Sequence, residues 1–234
     1  MVHRLALDAI ERDLLELQTH FGEINAGLSA SHDALTDEVI ANLLDGYRFV
    51  DQQLVEGVDL LGFGQSELLL ELNARVLCGT RPARREAYGD HLKATRERFY
   101  HTPFGGIDSL AEWLVNHAED GIWHRAAGLY IQVLSRPELF LEGNHRTATL
   151  MVSALLAREG HPPFVLTARN AAAFFPPSSR AKSTQRRSLV MLFRRPRLCR
   201  QLMRLFREWS DPRHLIRPER EGRPMPWSGM GAIE

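Results

Sequence analysis

Between Thr147 and Arg158 nearly every position is apolar or small: Ala148, Leu150, Met151, Val152, Ala154, Leu155, Leu156 and Ala157, with Gly160 and Pro162-Pro163 closing the run. A helix that is apolar almost all round has no face to give to water, so it belongs in the middle of a bundle. A second strongly apolar segment, Ile122 to Leu134, precedes it and carries Ala126 and Ala127, small residues that let a neighbouring backbone approach closely. Pro137 ends that segment. The stretch that follows therefore joins two central helices, a place where bundles build their sites.

The remaining pattern is also helical, with no two alternating runs that demand a core sheet. About Leu5 to Ala26, Leu7, Ile10, Leu14, Leu17 and Phe21 share one face, and Gly27 with Ser29-Ala30-Ser31 stops the helix. A second helix is expected from Thr36 to about Leu60, capped by Asp33 or Thr36, with Val39, Ile40, Leu43, Leu44, Tyr47, Val50 and Leu54 inward. Ser66 opens a short helix that Gly79 closes. Ile107 opens another, running to about His117. Between them Pro82, Pro103 and several glycines frame Tyr88 to Tyr100, which reads as a small hairpin or extended flap carrying Tyr88, Phe99 and Tyr100 among basic residues.

Lys plus Arg and Asp plus Glu both number 29, so net charge selects no class of partner. The charge is uneven, however. Arg180, Lys182, Arg186, Arg187, Arg194, Arg195, Arg197, Arg200, Arg204 and Arg207 meet no acid before Glu208, while Leu198, Leu202, Leu205, Phe206 and Trp209 make an apolar face among them. A basic amphipathic helix of this kind packs its apolar face on the core with solvated arginines, or holds an acidic partner, RNA phosphates or an anionic membrane surface. Beyond Asp211, prolines at 212, 218, 224 and 226 suggest a loosely packed arm. Cys78 and Cys199 read as buried free thiols in a reducing compartment. No apolar run approaches the ~18 residues of a membrane span. An acid at position 8 precedes any signal-peptide core, so a cytoplasmic location is expected, with signal-independent secretion left open.

The connection after Pro137 carries chemistry. In Glu138-Leu-Phe-Leu-Glu-Gly-Asn-His-Arg146, the unpaired N–H groups of the following helix and its dipole point at whatever fills the loop, and Gly143 lets backbone donors approach. Arg146 can make bidentate contacts to phosphate oxygens, and Glu142 is placed to hold Mg²⁺, which binds phosphates through few protein carboxylates. Spacing alone favours a turn in which Gly143-Asn144 caps the next helix while Glu142 and Arg146 form a surface pair, since a Gly-Asn turn is common.

Over a longer stretch, roughly residues 67–167, the chain resembles the Fic (Fido) family. The family's loop runs histidine-x-phenylalanine-x-acid-glycine-asparagine-(glycine or lysine)-arginine-x-x-arginine between two core helices. Phe140, Glu142, Gly143, Asn144 and Arg146 fall on its phenylalanine, acid, glycine, asparagine and first arginine. The resemblance implies a mainly all-α fold, a helical bundle with a small hairpin or flap, divided into an N-terminal helical extension over 1–66, a Fido-type core over 67–212 and an arm over 213–234. It also implies transfer of AMP, or another phosphate-containing group, to a hydroxyl side chain of a target protein, with Mg²⁺ and a nucleotide, ATP first, as cofactors.

Three positions depart from the pattern. Glu138 stands in place of the catalytic histidine, His145 in place of glycine or lysine, and Thr149 in place of the second arginine. A general base contributes ~10²–10⁴-fold, and a carboxylate with a pKa near ~4.3 is a weaker base than imidazole at neutral pH. Three roles stay open for Glu138: a base if its pKa is raised, a second Mg²⁺ ligand, or a helix-start residue. His145, at the positive end of a helix and so biased toward neutral, could serve as base, phosphate contact or filler. The expected protein is therefore a nucleotide-binding or phosphate-binding relative with silent or altered catalysis. Its alternative is a non-catalytic module holding an acidic partner on the 180–207 face. The family's inhibitory helix, (Ser or Thr)-x-x-x-Glu-(Gly or Asn), is echoed by Gln52 to Gly57, with Glu56 in the inhibitory place and an ordinary helix end as the other reading.

Overall fold

The structure, a computed structural model, describes residues 3–28, 32–185 and 189–217. Strand β1 (Arg4–Leu5) leads into helices α1 (Leu7–Ala26), α2 (Asp37–Val55), α3 (Ser66–Cys78), α4 (Pro82–Ala87), α5 (Gly89–His101), α6 (Ile107–Asn116), α7 (Ile122–Leu134), α8 (Asn144–Arg158), α9 (Ala171–Lys182) and α10 (Leu189–Trp209), and strand β2 (Leu215–Ile216) follows. The protein is thus mainly α-helical, with one small antiparallel pair of strands among the described residues.

Helix α8 is the centre, as its composition requires: every residue from Thr147 to Ala157 is buried. It packs chiefly on α7 and α2, and α10 lies along α7. Two glycines set the closest approaches. A Cβ at Gly46 of α2 would fall 2.4 Å from Leu150 Cδ1 of α8, and one at Gly128 of α7 would fall 2.2 Å from Trp113 of α6. The close packing expected of Ala126 and Ala127 is extended by this glycine at the next position, and both alanines are fully buried.

Thr36, not Asp33, caps α2: its hydroxyl accepts from Val39 N at 3.3 Å. That helix stops at Val55, short of Leu60, because Gly57 turns left-handed (φ 71°) and lets Val58 N bond back to Gln53 O. The larger correction concerns Tyr88 to Tyr100, which is helix α5 and no hairpin or flap. Its interior lacks β-branched alternation and puts Thr95 and Phe99 inward one turn apart. The strands come from the chain ends instead, Arg4 opposite Ile216 and Leu5 opposite Leu215.

The expected loose arm is tied down at its start. His214 is 1% exposed with Nε2 2.8 Å from Asp13, and Ala6 N donates to His214 O. Residues 218–234 lie outside the described part. One apolar core runs from Leu5 to Leu215 and takes Ile10, Leu14, Tyr47 and Val50 together with Leu150, Phe164 and Phe206. It therefore draws on both sides of residue 66. The basic segment is two helices, with Arg180 and Lys182 on α9, and Leu198, Leu202, Leu205 and Phe206 of α10 are buried. Arg186 and Arg187 are outside the described residues. Cys78 and Cys199 are buried and free.

Candidate functional site

The loop between α7 and α8 is held shut by Asn144. Its Oδ1 accepts from Phe140 N and its Nδ2 donates to Phe140 O, both at 2.9 Å, so this one buried amide closes the chain on itself. Gly143 supplies the left-handed turn (φ 75°) that starts α8. A neighbour braces it: Asn73 Nδ2 donates to Glu142 O at 2.9 Å and to Thr147 Oγ1 at 3.0 Å. Helix α5 supports the loop from the other side. Arg98 Nε donates to Glu138 O at 3.1 Å, and Phe99 stacks on Phe140 with centroids 5.5 Å apart. The segment expected to form a hairpin or flap thus buttresses the loop.

The loop forms one wall of a cavity of about 320 Å³. Glu138, Glu142, Gly143, Asn144, His145, Arg146 and Thr149 all line it. The rest of the lining comes from Leu14, Leu17 and Phe21 of α1, Val39, Leu43 and Tyr47 of α2, Phe174, Phe175 and Lys182 of α9, Leu166, and the connector His32 to Leu35.

Each side chain of the loop has a defined position. His145 Nδ1 lies 2.7 Å from Ser178 Oγ and 3.1 Å from Tyr130 Oη, and those two hydroxyls are 2.6 Å apart. Burial first, then the positive neighbours Lys182, His32 and Arg146, push the His145 pKa down to about 4. The ring is neutral at pH 7, as its helix-end position suggested, although desolvation is the main cause. Burial also raises the Tyr130 hydroxyl. Arg146 is lowered by burial against the opposing pull of Glu142, Asp33 and Tyr88, and its Nη1 donates to Val76 O at 3.1 Å. His32, lowered by its own burial, packs on the Phe175 ring at 4.1 Å.

The carboxylates behave differently. Glu142 is 60% exposed in its side chain, with His91 Nε2 at 4.0 Å. Asn144, expected among the phosphate ligands, has its side chain committed to Phe140, so only its backbone N–H belongs with those of His145 and Arg146. Glu56, expected as a possible inhibitory residue, lines no part of this cavity. It sits at the far end of α2, where its carboxylate accepts from Gln52 at 2.8 Å and Gln53 at 3.5 Å.

Four residues of the site carry no sequence signal: His32, Lys182, Tyr130 and Ser178. Tyr130 and Ser178 reach His145 from 15 and 33 residues away in sequence, too far for any spacing rule. Lys182 is visible only as one charge in the basic tail. Among the described residues no group of three or more His, Cys, Asp or Glu is arranged to hold a metal ion. None of their helices is long and apolar enough to cross a membrane. No protein-family model matches the chain, and no curated protein sequence matches it.

Proposed function

We propose that the cavity binds a nucleotide or another phosphate-bearing ligand, with the first turn of α8 and Arg146 holding the phosphate. The observation that carries this reading is the convergence of Glu138, Glu142, Gly143, Asn144, His145 and Arg146 on one wall of one cavity. There the N–H groups of 144–146, which have no partner within the helix, meet a guanidinium with donors beyond the one given to Val76. Glu142 suits Mg²⁺ brought in on phosphates, since that ion takes one or two protein carboxylates and fills its other positions with phosphate and water oxygens. Bound there, Mg²⁺ would neutralise phosphate charge; the protein's own part is to anchor and orient.

If a group is transferred to a hydroxyl of a target protein, Glu138 is the side chain at the family's base position and His145 the only imidazole on the loop. Both positions are compromised for base catalysis: a carboxylate is in general a weaker base than imidazole at neutral pH, and burial weakens His145. Silent or slow catalysis follows. Incubation with Mg²⁺ and labelled ATP, GTP, UTP or CDP-choline tests this with wild type, Glu138→His and Glu142→Ala. Binding by wild type with transfer only in Glu138→His is the expected result. Absence of any phosphate-dependent shift in melting temperature ends the proposal.

A second reading has its own observation. The exposed Arg197, Arg200 and Arg204 of α10 line an open groove of about 470 Å³ together with Ala173 of α9, Leu205, Glu208 and Trp209. Such a stripe suits an acidic partner protein. Reversing these three charges is expected to abolish capture of an acidic partner in a pull-down scored against wild type.

A further inference from the structure

We infer that the ligand is a phosphate monoester of a small apolar alcohol, with its head toward Arg146 and Lys182 and its tail against α1 and α9. This inference rests on the phosphate-site reading and narrows it.

Size is the first argument. By atom count a nucleoside triphosphate, with roughly thirty non-hydrogen atoms, is almost three times the size of hexyl phosphate, with about eleven, and the cavity is about 320 Å³. The cavity lies at the lower end of the range for small-molecule sites.

The lining is the second. Away from the loop the wall includes Leu14, Leu17, Phe21, Leu35, Phe174 and Phe175, with His32, Asp33, Tyr47 and Lys182 as its polar members. Of these, Leu14, Leu17, Phe21 and Phe174 are buried and hold no polar side-chain atom. A ribose or a second and third phosphate would lose water there and gain no hydrogen bond from those side chains. A hydrocarbon tail loses nothing and gains contact.

Charge is the third. Two permanent cations line the cavity, Arg146 and Lys182, and both are close enough to His145 to depress its pKa. Three carboxylates, Asp33, Glu138 and Glu142, line it as well. A triphosphate would meet more acid than base, whereas a single phosphate head is within what two cations and the α8 N–H groups offset. Thr149, one turn along α8, adds only a hydroxyl, and that hydroxyl donates to His145 O at 3.0 Å.

Calorimetry on the full chain tests this with inorganic phosphate, butyl, hexyl and octyl phosphate, hexanol, and ATP with and without Mg²⁺. The expected result is weak binding of inorganic phosphate and a gain of about threefold to fourfold in affinity per methylene until the tail fills the cavity. Lys182→Gln is expected to weaken hexyl phosphate several-fold while leaving the chain-length dependence intact. Leu35→Trp, which puts a larger ring into the cavity wall, is expected to abolish the gain from the tail. Hexanol binding as tightly as hexyl phosphate overturns the inference, and so does affinity independent of chain length. ATP binding more tightly than every alkyl phosphate overturns it too, yet leaves the phosphate site standing. If no phosphate compound binds, both fall.

Discussion

The loop from Glu138 to Arg146 and the group of Tyr130, Ser178 and Lys182 serve one cavity but are built in opposite ways. The loop is closed locally: Asn144 bonds Phe140 four residues back, and Gly143 supplies the turn. The other group comes from α7 and α9 and meets His145 only because those helices pack side by side. A local motif survives changes elsewhere in the fold, whereas a long-range cluster depends on the packing of whole helices. His145 belongs to both, lying on the loop by sequence and held at Nδ1 by the cluster.

The largest expected effect tests the local half. Asn144→Ala leaves the buried N–H and C=O of Phe140 without their partners, and should cost about 2–4 kcal/mol in chemical denaturation. Asn144→Asp should recover only part of this, because it keeps an acceptor for Phe140 N but sets a carboxylate against Phe140 O. A loss below about 1 kcal/mol for the alanine variant would mean that water replaces the amide and the loop is not locally closed.

Next comes His145, where the halves join. Its folded pKa, about 4, lies below the ordinary value near ~6.5, so the unfolded chain binds a proton that the folded chain refuses. Stability from this group is complete above pH ~6.5 and falls as pH drops toward about 4, by an amount on the order of 2–3 kcal/mol. Urea denaturation between pH 7 and 4 should show the slope, and His145→Asn should flatten it. An unchanged slope would place the acid sensitivity elsewhere.

The long-range half should respond less. Ser178→Ala removes one hydroxyl from the triangle but leaves Tyr130 as a partner for His145, so about 1–2 kcal/mol is expected. Equality with Asn144→Ala would erase the distinction between the two constructions. The smallest effect on stability belongs to the exposed carboxylate. Glu142→Ala should change stability by less than about 0.5 kcal/mol while weakening any Mg²⁺-dependent part of phosphate binding, as a melting-temperature series with and without the metal would reveal.

Helix α7 is legible in the sequence to the residue, and α1, α3, α6 and α8 nearly so, because each repeats apolar residues at helical spacing between glycine or proline stops. Three helices escape, and the first, α4 (Pro82–Ala87), begins at a proline that reads as the frame of a flap. The α5 segment contains Tyr, Phe and flanking glycines that imitate strand and turn, yet Thr95 and Phe99 bury at helical spacing. Helix α9 contains Pro176 and Pro177, residues that ordinarily end a helix, so periodicity alone does not announce it. With α9 go Ser178 and Lys182, half of the site's unexpected polar groups. Asn144 is legible as a position and misleading as a role, since its side chain serves the backbone.

Sequence by itself determined that this chain is a helical bundle with α8 at its centre and a glycine-asparagine loop leading into it. Composition and local turn chemistry act over a few residues and need no partner to be read. Tertiary structure alone decided that the loop opens on a largely apolar cavity, that a buried serine and tyrosine hold His145, and that Glu56 lies apart from both. Those facts depend on which helices pack together, and the energy that selects the packing is spread over the whole core, with no short stretch of residues to mark it.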